Sequence, residues 1–414
     1  MPDVLIHQQQ LTAELQKLAT FSDSPLPSVT RVVFSPVDLE ARAYVKSLCA
    51  EAGLHVREDA VGNTFARWLG SEPDLPAVGT GSHIDAIPHA GQYDGTVGVL
   101  GGLEAIRALQ RAGVRPKRSI ELLLFTSEEP TRFGIGCLGS RLLCGSTDAQ
   151  ADTSLVDADG KTLKENRTAA GFGGQLEDVK LRAGYYDSFV ELHIEQGRLL
   201  EQRDIALGVV TAIAAPATLR IVIEGEGGHA GAVLMPGRRD AFLGAAEIAL
   251  AVEAAAKSTG AIDTVGTVGI CDIFPRAVNS IPSGVQMYAD IRDIDPNRRD
   301  GVLAAVRMAC SEIGKQRNLS IQIETLNADA PAQCSAKILD ALQTSAESLG
   351  LPYFSMVSRA YHDSLFMSRI APVAMLFIRC KGGVSHRPDE YSSPEDIAAG
   401  VLVLAHTLAR LSAQ

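Results

Sequence analysis

The sequence lacks several features that mark whole classes of protein. None of its seven cysteines forms a Cys-x-x-Cys pair and their number is odd, which favours reduced thiols and a cytoplasmic location over a disulfide framework. Residues 1–10 have no basic region followed by an apolar one, so we expect no secretory signal. The apolar stretch 241–256 is interrupted by Glu247 and Glu253, so we expect no membrane span.

Positive charge is also scarce. The 38 lysines and arginines are outnumbered by 49 aspartates and glutamates, which gives a net charge of −11. This balance argues against nucleic acid or an anionic membrane as the main partner, although a small anionic substrate could bind at a local cationic anchor. Hydrophobic residues, by contrast, make up 46% of the chain, which favours a globular protein, and the length of 414 residues favours two domains.

The first half of the chain alternates strand-like and helix-like segments, which is typical of an α/β fold. Short apolar runs predict strands at 77–81, 119–125 and 189–193, and apolar spacing predicts a helix at 96–112. Each strand ends beside a polar group that could react or bind metal. Because open α/β sheets bind ligands at the carboxyl ends of their strands, we expect a site at this edge.

A change of composition near residue 212 indicates an inserted domain. Its segments predict a β-α-β-β-α-β order, which suggests an α+β, ferredoxin-like insert at 213–328. The predicted elements are strands 218–223, 264–270, 285–291 and 320–325, with helices 239–257 and 301–316. A helix at 336–349, a strand at 373–378 and a helix at 394–411 follow. The catalytic domain is therefore expected to be discontinuous, at 1–212 plus 329–414.

Five side chains form a candidate metal set: His83, Asp94, Glu129, His193 and His386. Two divalent metals need ligands of mixed type and one bridging carboxylate, and together they activate a water molecule and hold an acyl oxygen. Asp94 is the natural bridge because a carboxylate has two oxygens. Imidazole and carboxylate ligands without cysteine suit Mn²⁺ or Zn²⁺, and also Co²⁺ or Ni²⁺. Taken singly, each histidine is more often a hydrogen-bonded polar residue than a ligand.

Two acidic neighbours of these residues have other expected roles. Asp85 could accept the second imidazole N–H of His83 and so fix its tautomer. Glu128, next to Glu129, is the candidate general base that takes a proton from water. The alternative for the pair Glu128-Glu129 is a solvated helix N-terminus.

The insert carries a second candidate group. His229 lies in a glycine-rich turn and could stabilise the oxyanion of a tetrahedral intermediate. Asn279 and Arg292 could bind a substrate carboxylate, which a guanidinium grips with two parallel hydrogen bonds. The alternatives are a loop histidine and a surface ion pair of Arg292 with Asp293 or Asp295.

The motifs together resemble the amidase branch of the M20 metallopeptidases, the hydantoinase/carbamoylase group. The resemblance covers about residues 31–411 and is carried by 81–95, 125–136, 193–197, 228–231, 279–282 and 385–388. It implies a mixed-sheet, zinc-peptidase-like catalytic domain with an inserted lid and dimerisation domain. It also implies the five metal ligands above with Glu128 as base, and substrate contacts from Gln196, His229, Asn279 and Arg292. We therefore expect a homodimer in which the insert's histidine reaches the partner subunit's site.

The segment 358–365, Ser-Arg-Ala-Tyr-His-Asp-Ser-Leu, replaces the Gly-Ala-Gly-His-Asp-Ala type of most of the branch. Together with 128–134, 214–217 and 390–396, it is similar to plant-type ureidoglycolate amidohydrolases. This similarity implies that Tyr361 and His362 line the pocket and that the Tyr361 phenol bonds a substrate hydroxyl, unless it is only a packing residue. We expect hydrolysis of the terminal ureido C–N bond of a small carboxylate-bearing ureide, such as (S)-ureidoglycolate. The alternatives are an N-carbamoyl-L-amino acid or allantoate amidohydrolase and, more remotely, a dipeptidase, an aminopeptidase or an inactive binding homologue.

Overall fold

The computed structural model of this protein describes residues 4–414, so the first three residues of the N-terminal stretch discussed above lie outside the described residues. The strands are β1 (Val29–Arg31), β2 (His55–Glu58), β3 (Thr64–Trp68), β4 (Ala77–His83), β5 (Ala86–Ala90), β6 (Ile120–Phe125), β7 (Tyr186–Ile194), β8 (Leu207–Ile213), β9 (Ala215–Glu224), β10 (Gly228–His229), β11 (Val265–Phe274), β12 (Ser280–Ile281), β13 (Gly284–Asp293), β14 (Ser320–Ala328), β15 (Ala332–Gln333), β16 (Tyr353–Ser358) and β17 (Val373–Ile378). The α-helices are α1 (Gln8–Ala19), α2 (Pro36–Glu51), α3 (Thr96–Arg111), α4 (Leu138–Cys144), α5 (Ala151–Ser154), α6 (Leu163–Ala169), α7 (Leu199–Arg203), α8 (Ala241–Ser258), α9 (Pro296–Arg317), α10 (Ala336–Ser348), α11 (Asp363–Met367) and α12 (Pro394–Ser412).

The chain divides into two compact units. The first comprises Met1–Thr211, Cys334–Ser358 and His362–Gln414, and the second comprises Ala212–Gln333 with Arg359–Tyr361. The expected insert was 213–328, so the second unit is longer at its end and includes a short segment that the sequence had placed in the catalytic domain. No helix within residues 4–414 has the length and apolar character that a membrane crossing requires.

The first unit is built on a mixed sheet in the order β8-β17-β7-β4-β6-β3-β2, with β16 also pairing with β8. The neighbours β17, β7, β4 and β6 run parallel, whereas β8 and β3 pair antiparallel with the strands beside them. Strands β4, β6 and β17 are buried along their whole length, as strands covered on both faces are. This is the mixed α/β fold that the sequence predicted.

Helices cover both faces of this sheet. On one face α3 packs against β4, β7 and α12, within an apolar cluster that includes Leu100, Leu103, Leu192 and Leu404. On the other face a second cluster includes Phe125, Leu138 and Phe189. The sheet is therefore held rigidly from both sides, and the loops at its edge are left to carry polar groups.

The carboxyl ends of the parallel strands meet at one edge of the first unit. Strand β4 ends at His83, β6 ends one residue before Thr126, and β7 ends one residue after His193. The loop after β17 leads to His386, which precedes α12. Strand geometry alone therefore brings these segments to the same place.

The second unit has an antiparallel sheet in the order β11-β13-β9-β14. Helices α8 and α9 pack against each other and against this sheet, around a core that includes Ile221, Ile248, Met287 and Val306. The order of the long elements is the β-α-β-β-α-β order expected for a ferredoxin-like domain. A short additional pair, β10 with β12, sets His229 opposite Ser280.

Candidate metal centre and active site

His83 is the last residue of β4 and is almost wholly buried, with 1% of its surface exposed. Its Nδ1–H donates to the backbone carbonyl oxygen of Asp85 at 2.9 Å. In the neutral ring this bond fixes the tautomer with the proton on Nδ1, and Nε2 faces Asp94 Oδ1 at 3.5 Å. The imidazole is therefore oriented as a metal-ligating histidine usually is.

His193 near the end of β7 is arranged in the same way. Its Nδ1–H donates to the carbonyl oxygen of Ile194 at 2.9 Å, and Nε2 lies 3.1 Å from Asp94 Oδ1. The rings of His83 and His193 are stacked with their centroids 6.0 Å apart. Two imidazole nitrogens thus approach the same carboxylate oxygen.

The other oxygen of Asp94 faces a different pair of residues. His386 Nε2 lies 3.1 Å from Asp94 Oδ2 and 3.3 Å from Glu129 Oε1. The ligand atoms of His83, Asp94 and His193 lie within 4.8 Å of one another, and so do those of Asp94, Glu129 and His386. Asp94 belongs to both groups, which is the position that a bridging carboxylate occupies.

The pKa shifts of Asp94 and His386 show how strongly these side chains interact. Burial acts to raise the pKa of Asp94, but its contacts with His193, His386 and His83 hold that pKa well below its usual range. The same contacts to Asp94 and Glu129 raise the pKa of His386 to about 11. An acceptor nitrogen and a carboxylate oxygen at such distances need a proton or a metal cation between them. The donor set, imidazole and carboxylate in two groups sharing one carboxylate, therefore fits divalent metals.

Glu128 lies beside the first group but belongs to neither. Its Oε2 is 3.7 Å from His83 Nε2, and the thiol of Cys137 donates to its Oε1 at 3.3 Å. The backbone reaches this position through Ser127, whose φ of 56° is in the left-handed region. Burial raises the pKa of Glu128 well above its usual range, which favours uptake of a proton by this carboxylate.

The expectation for Asp85 needs one correction. The imidazole N–H of His83 goes to the backbone carbonyl of Asp85, and the carboxylate Oδ1 lies farther away, at 3.7 Å from Nδ1. The Asp85 carboxylate instead accepts the backbone N–H groups of Glu128 at 3.2 Å and Glu129 at 3.1 Å. Because those amides follow a tight left-handed turn, the side chain serves to fix the Glu128-Glu129 loop beside His83.

Two predicted substrate contacts also lie in the first unit. The side-chain amide of Gln196 donates to Asp94 Oδ2 at 2.8 Å, while its buried Oε1 has no hydrogen-bond partner among residues 4–414. His362 is 2% exposed, and its ring centroid lies 4.4 Å from that of His193. Burial strongly lowers the pKa of His362, so this imidazole is neutral.

The remaining predicted contacts, His229, Asn279, Arg292 and Tyr361, belong to the second unit. His229 accepts the backbone N–H groups of Gly231 and Ala232 at its Nδ1, both at 3.2 Å. The carbonyl oxygen of Asn279 accepts from the N–H of Ala230, so Asn279 lies in the same loop cluster.

Arg292 donates to Asp290 at 2.7 Å and to the carbonyl oxygen of Arg359 at 3.3 Å. Its ion pair is thus with Asp290, and neither Asp293 nor Asp295 is its partner as the alternative had supposed. Asp293 is paired with Arg298.

Two residues that contact the candidate site, Glu390, which is buried, and Ser385, which is partly buried, were not among the predicted site residues. Glu390 accepts the backbone N–H groups of Tyr93 at 2.8 Å and Asp94 at 3.0 Å. The hydroxyl of Ser385 lies 2.9 Å from both Asp94 Oδ2 and Glu390 Oε2. The only sequence signal was their position in the same short segment as His386, since neither follows a strand.

Comparisons with known proteins show which family the chain is similar to. The model of peptidase family M20/M25/M40 matches residues 79–410. A ureidoglycolate hydrolase of Oryza sativa subsp. japonica is 54% identical over 409 residues, which cover 98% of this chain and 84% of that protein. An N-carbamoyl-L-amino acid amidohydrolase of Geobacillus stearothermophilus is 38% identical over 409 residues, covering 99% of each. The crystal structure of AtUAH in complex with glyoxylate is 52% identical, with a TM-score of 0.90 over 99% of each chain.

Proposed function

Since this chain belongs to peptidase family M20/M25/M40, a family of metal-dependent hydrolases, we propose that it is a two-metal amidohydrolase acting on (S)-ureidoglycolate. One observation carries the proposal of two metals. Asp94 turns Oδ1 to His83 and His193 and Oδ2 to His386, so a single carboxylate joins two groups of ligand atoms.

In this proposal His83, Asp94 and His193 hold one ion, and Asp94, Glu129 and His386 hold the other. When bound, the ions supply a Lewis acid for a carbonyl oxygen and lower the pKa of water. Mn²⁺ and Zn²⁺ both suit these ligands.

Glu128 is the proton carrier. It takes a proton from the attacking water at Oε2, the oxygen that faces His83, while Oε1 is held by the thiol of Cys137. It then gives this proton to the departing nitrogen, so that ammonia leaves. Burial raises the pKa of Glu128, which strengthens it as a base towards the attacking water.

The substrate assignment is supported by the 54% identity to a ureidoglycolate hydrolase and by the 52% identity to AtUAH, which was solved with glyoxylate. Water cleaves the terminal ureido C–N bond, and one ammonia leaves. The remaining carbamate loses CO2 to give hydroxyglycine, which releases a second ammonia and becomes glyoxylate. One water molecule balances the sum of these steps.

The substrate contacts are proposed for both units. The buried carbonyl oxygen of Gln196 is available to accept a ureido N–H, and neutral His362 lies beside His193. From the second unit we assign Arg292 and Asn279 to the carboxylate, Tyr361 to the hydroxyl, and His229 to the oxyanion of the tetrahedral intermediate. These assignments rest on the resemblance and on the chemistry of each side chain.

We further propose that the second unit is a lid that also forms a homodimer. Within the described part of the chain β11 pairs with β13 alone, and its side chains Val265, Ile270 and Phe274 are exposed. An exposed apolar edge strand is a surface on which a second copy pairs. Ile270→Lys should therefore shift the mass measured by light scattering towards the monomer. Met308→Lys on α9, which is also exposed but lies away from the edge strand, should not.

The experiment that tests the function is a substrate panel. Purified protein with Mn²⁺ or Zn²⁺ is given ureidoglycolate, allantoate and N-carbamoyl-L-amino acids, and ammonia release is measured. We expect the highest kcat/KM on (S)-ureidoglycolate and loss of activity on chelation. Higher kcat/KM on a carbamoyl-amino acid would overturn the substrate assignment.

A Glu128→Ala variant tests the role of Glu128 as base without changing a proposed metal ligand. We expect it to retain both ions while kcat falls by about 10²- to 10⁴-fold, the usual contribution of general base catalysis. Full turnover in this variant would exclude Glu128 as the base.

A further inference from the structure

Glu390 has the geometry of a residue that holds Asp94 in place. It is 3% exposed, and its Oε1 accepts the backbone N–H groups of Tyr93 at 2.8 Å and Asp94 at 3.0 Å. These contacts join two parts of the chain that are 296 residues apart. A buried carboxylate is costly unless it is fully hydrogen-bonded, so its presence between two loops calls for a reason.

The second oxygen of Glu390 reaches the carboxylate of Asp94 through a hydroxyl. Ser385 Oγ lies 2.9 Å from Glu390 Oε2 and 2.9 Å from Asp94 Oδ2. The amide of Gln196 donates to the same Asp94 oxygen at 2.8 Å. Glu390 thus controls both the backbone amide of Asp94 and, through Ser385, the oxygen that faces His386.

The packing leaves Glu390 little freedom to move. A Cβ at Gly91 would lie 2.3 Å from the Cβ of Glu390, so the glycine is what allows the Glu390 side chain to pack against this loop. Glu390 is therefore fixed against the loop that carries Asp94.

We propose that Glu390 and Ser385 are positioning residues that set the orientation of Asp94 between the two metal positions. The proposal rests on the proposed function above. Because Ser385 acts on Oδ2, the clamp formed by these two residues determines the geometry of the group Asp94, Glu129 and His386 more than that of the group containing His83 and His193.

The test measures metal binding directly. Mn²⁺ binding is followed by calorimetry, and metal content after desalting by elemental analysis, for wild type, Ser385→Ala, Glu390→Ala and Glu390→Gln. Residues that orient metal ligands usually contribute about 10- to 100-fold to affinity. We expect Ser385→Ala and Glu390→Ala to bind one of the two ions about 10- to 100-fold more weakly and the other almost normally. The lost kcat should return in excess Mn²⁺.

Two further variants separate positioning from mere packing. Glu390→Gln keeps an acceptor for the backbone amides and gains an NH2 that can donate to Ser385, so its affinity should stay within about threefold of wild type. Ser392→Ala removes a buried hydroxyl of the same segment, one that donates to the carbonyl oxygen of Arg379. It should leave both ions bound.

Unchanged affinity for both ions in Ser385→Ala would overturn the proposal, and so would equal weakening in Ser392→Ala. If Glu390→Ala fails to fold, Ser385→Ala decides alone. A wild type that binds no divalent metal and hydrolyses no ureide would instead refute the proposed function. The two failures are therefore distinguishable.

Discussion

Gly95 should be essential to the metal site, because the Cβ of any other residue would clash with the imidazole of His83. It lies between Asp94 and helix α3 with a φ of +66°, and a Cβ built there would be 2.5 Å from both Nε2 and Cδ2 of His83. Nε2 is the atom that faces Asp94. Substituting alanine therefore places a methyl group against the nitrogen that is proposed to bind metal.

The expected loss of metal affinity follows from the 2.5 Å contact between this Cβ and the His83 ring. The His83 ring would have to move by about 0.9 Å to relax the 2.5 Å contact to an ordinary 3.4 Å, whereas metal sites tolerate about 0.2 Å in ligand distance. His83 is 1% exposed and hydrogen-bonded at Nδ1, so it cannot swing away. We expect Gly95→Ala to weaken binding of Mn²⁺ at least about tenfold, and the left-handed φ to cost about 1–2 kcal/mol of unfolding free energy.

Gly113 provides a matched control. It follows the other end of α3 with a φ of +70°, and a Cβ there would meet nothing within 4 Å. Gly113→Ala should lose the same 1–2 kcal/mol in denaturant unfolding while Mn²⁺ affinity, measured by calorimetry, stays as in wild type. Wild-type affinity in Gly95→Ala, or an equal loss in Gly113→Ala, would refute the reasoning.

Three other changes have defined outcomes. Cys137→Ala removes the thiol that donates to Glu128, so kcat should fall about three- to tenfold while the metal content stays unchanged. Cys137→Ser should restore kcat. Equal kcat values for wild type and Cys137→Ala in steady-state assays would exclude this role. Arg292→Ala should raise KM for carboxylate substrates by about tenfold or more, and an unchanged KM would place the anchor elsewhere. Burial raises the pKa of Asp59 from 3.8 to about 6. The neutral form therefore contributes stability below pH 4 that is lost as pH rises through 6, a change of up to about 3 kcal/mol that should be smaller in Asp59→Asn.

The strands that position the site could be predicted because their sequences are unambiguous. Strands β4, β6 and β7 were expected at 77–81, 119–125 and 189–193, and the structure has them at Ala77–His83, Ile120–Phe125 and Tyr186–Ile194. Each is buried along almost its whole length and contains or leads into one of the candidate site residues His83, Glu128 and His193. Strand β17 has the predicted bounds, Val373–Ile378.

Other features of the structure depend on contacts between distant segments, which a local sequence pattern cannot predict. Residues 359–361 group with the second unit because Arg359 pairs with Asp263 and its carbonyl oxygen accepts from Arg292. The Asp85 carboxylate was expected at an imidazole, but it meets backbone amides of the 128–129 loop, whose position depends on the turn at Ser127. Both outcomes are set by tertiary distances between segments far apart in sequence.

Some of the strained backbone of residues 4–414 lies at the proposed site. Non-glycine residues rarely adopt a positive φ, yet Ser127 (56°), Gln196 (56°) and His386 (58°) all do, and each lies at or beside a proposed ligand or base. The same edge buries carboxylates such as Glu191 and Asp363, both with no exposed surface. A positive φ at a non-glycine residue and a buried carboxyl group each reduce stability, and the proposed role of this edge in holding cations gives a reason for keeping them there. Binding of metal should therefore stabilise the protein as well as activate the enzyme. A rise in melting temperature with Mn²⁺ in wild type, absent in Gly95→Ala, would show that stability and activity depend on the same metal site.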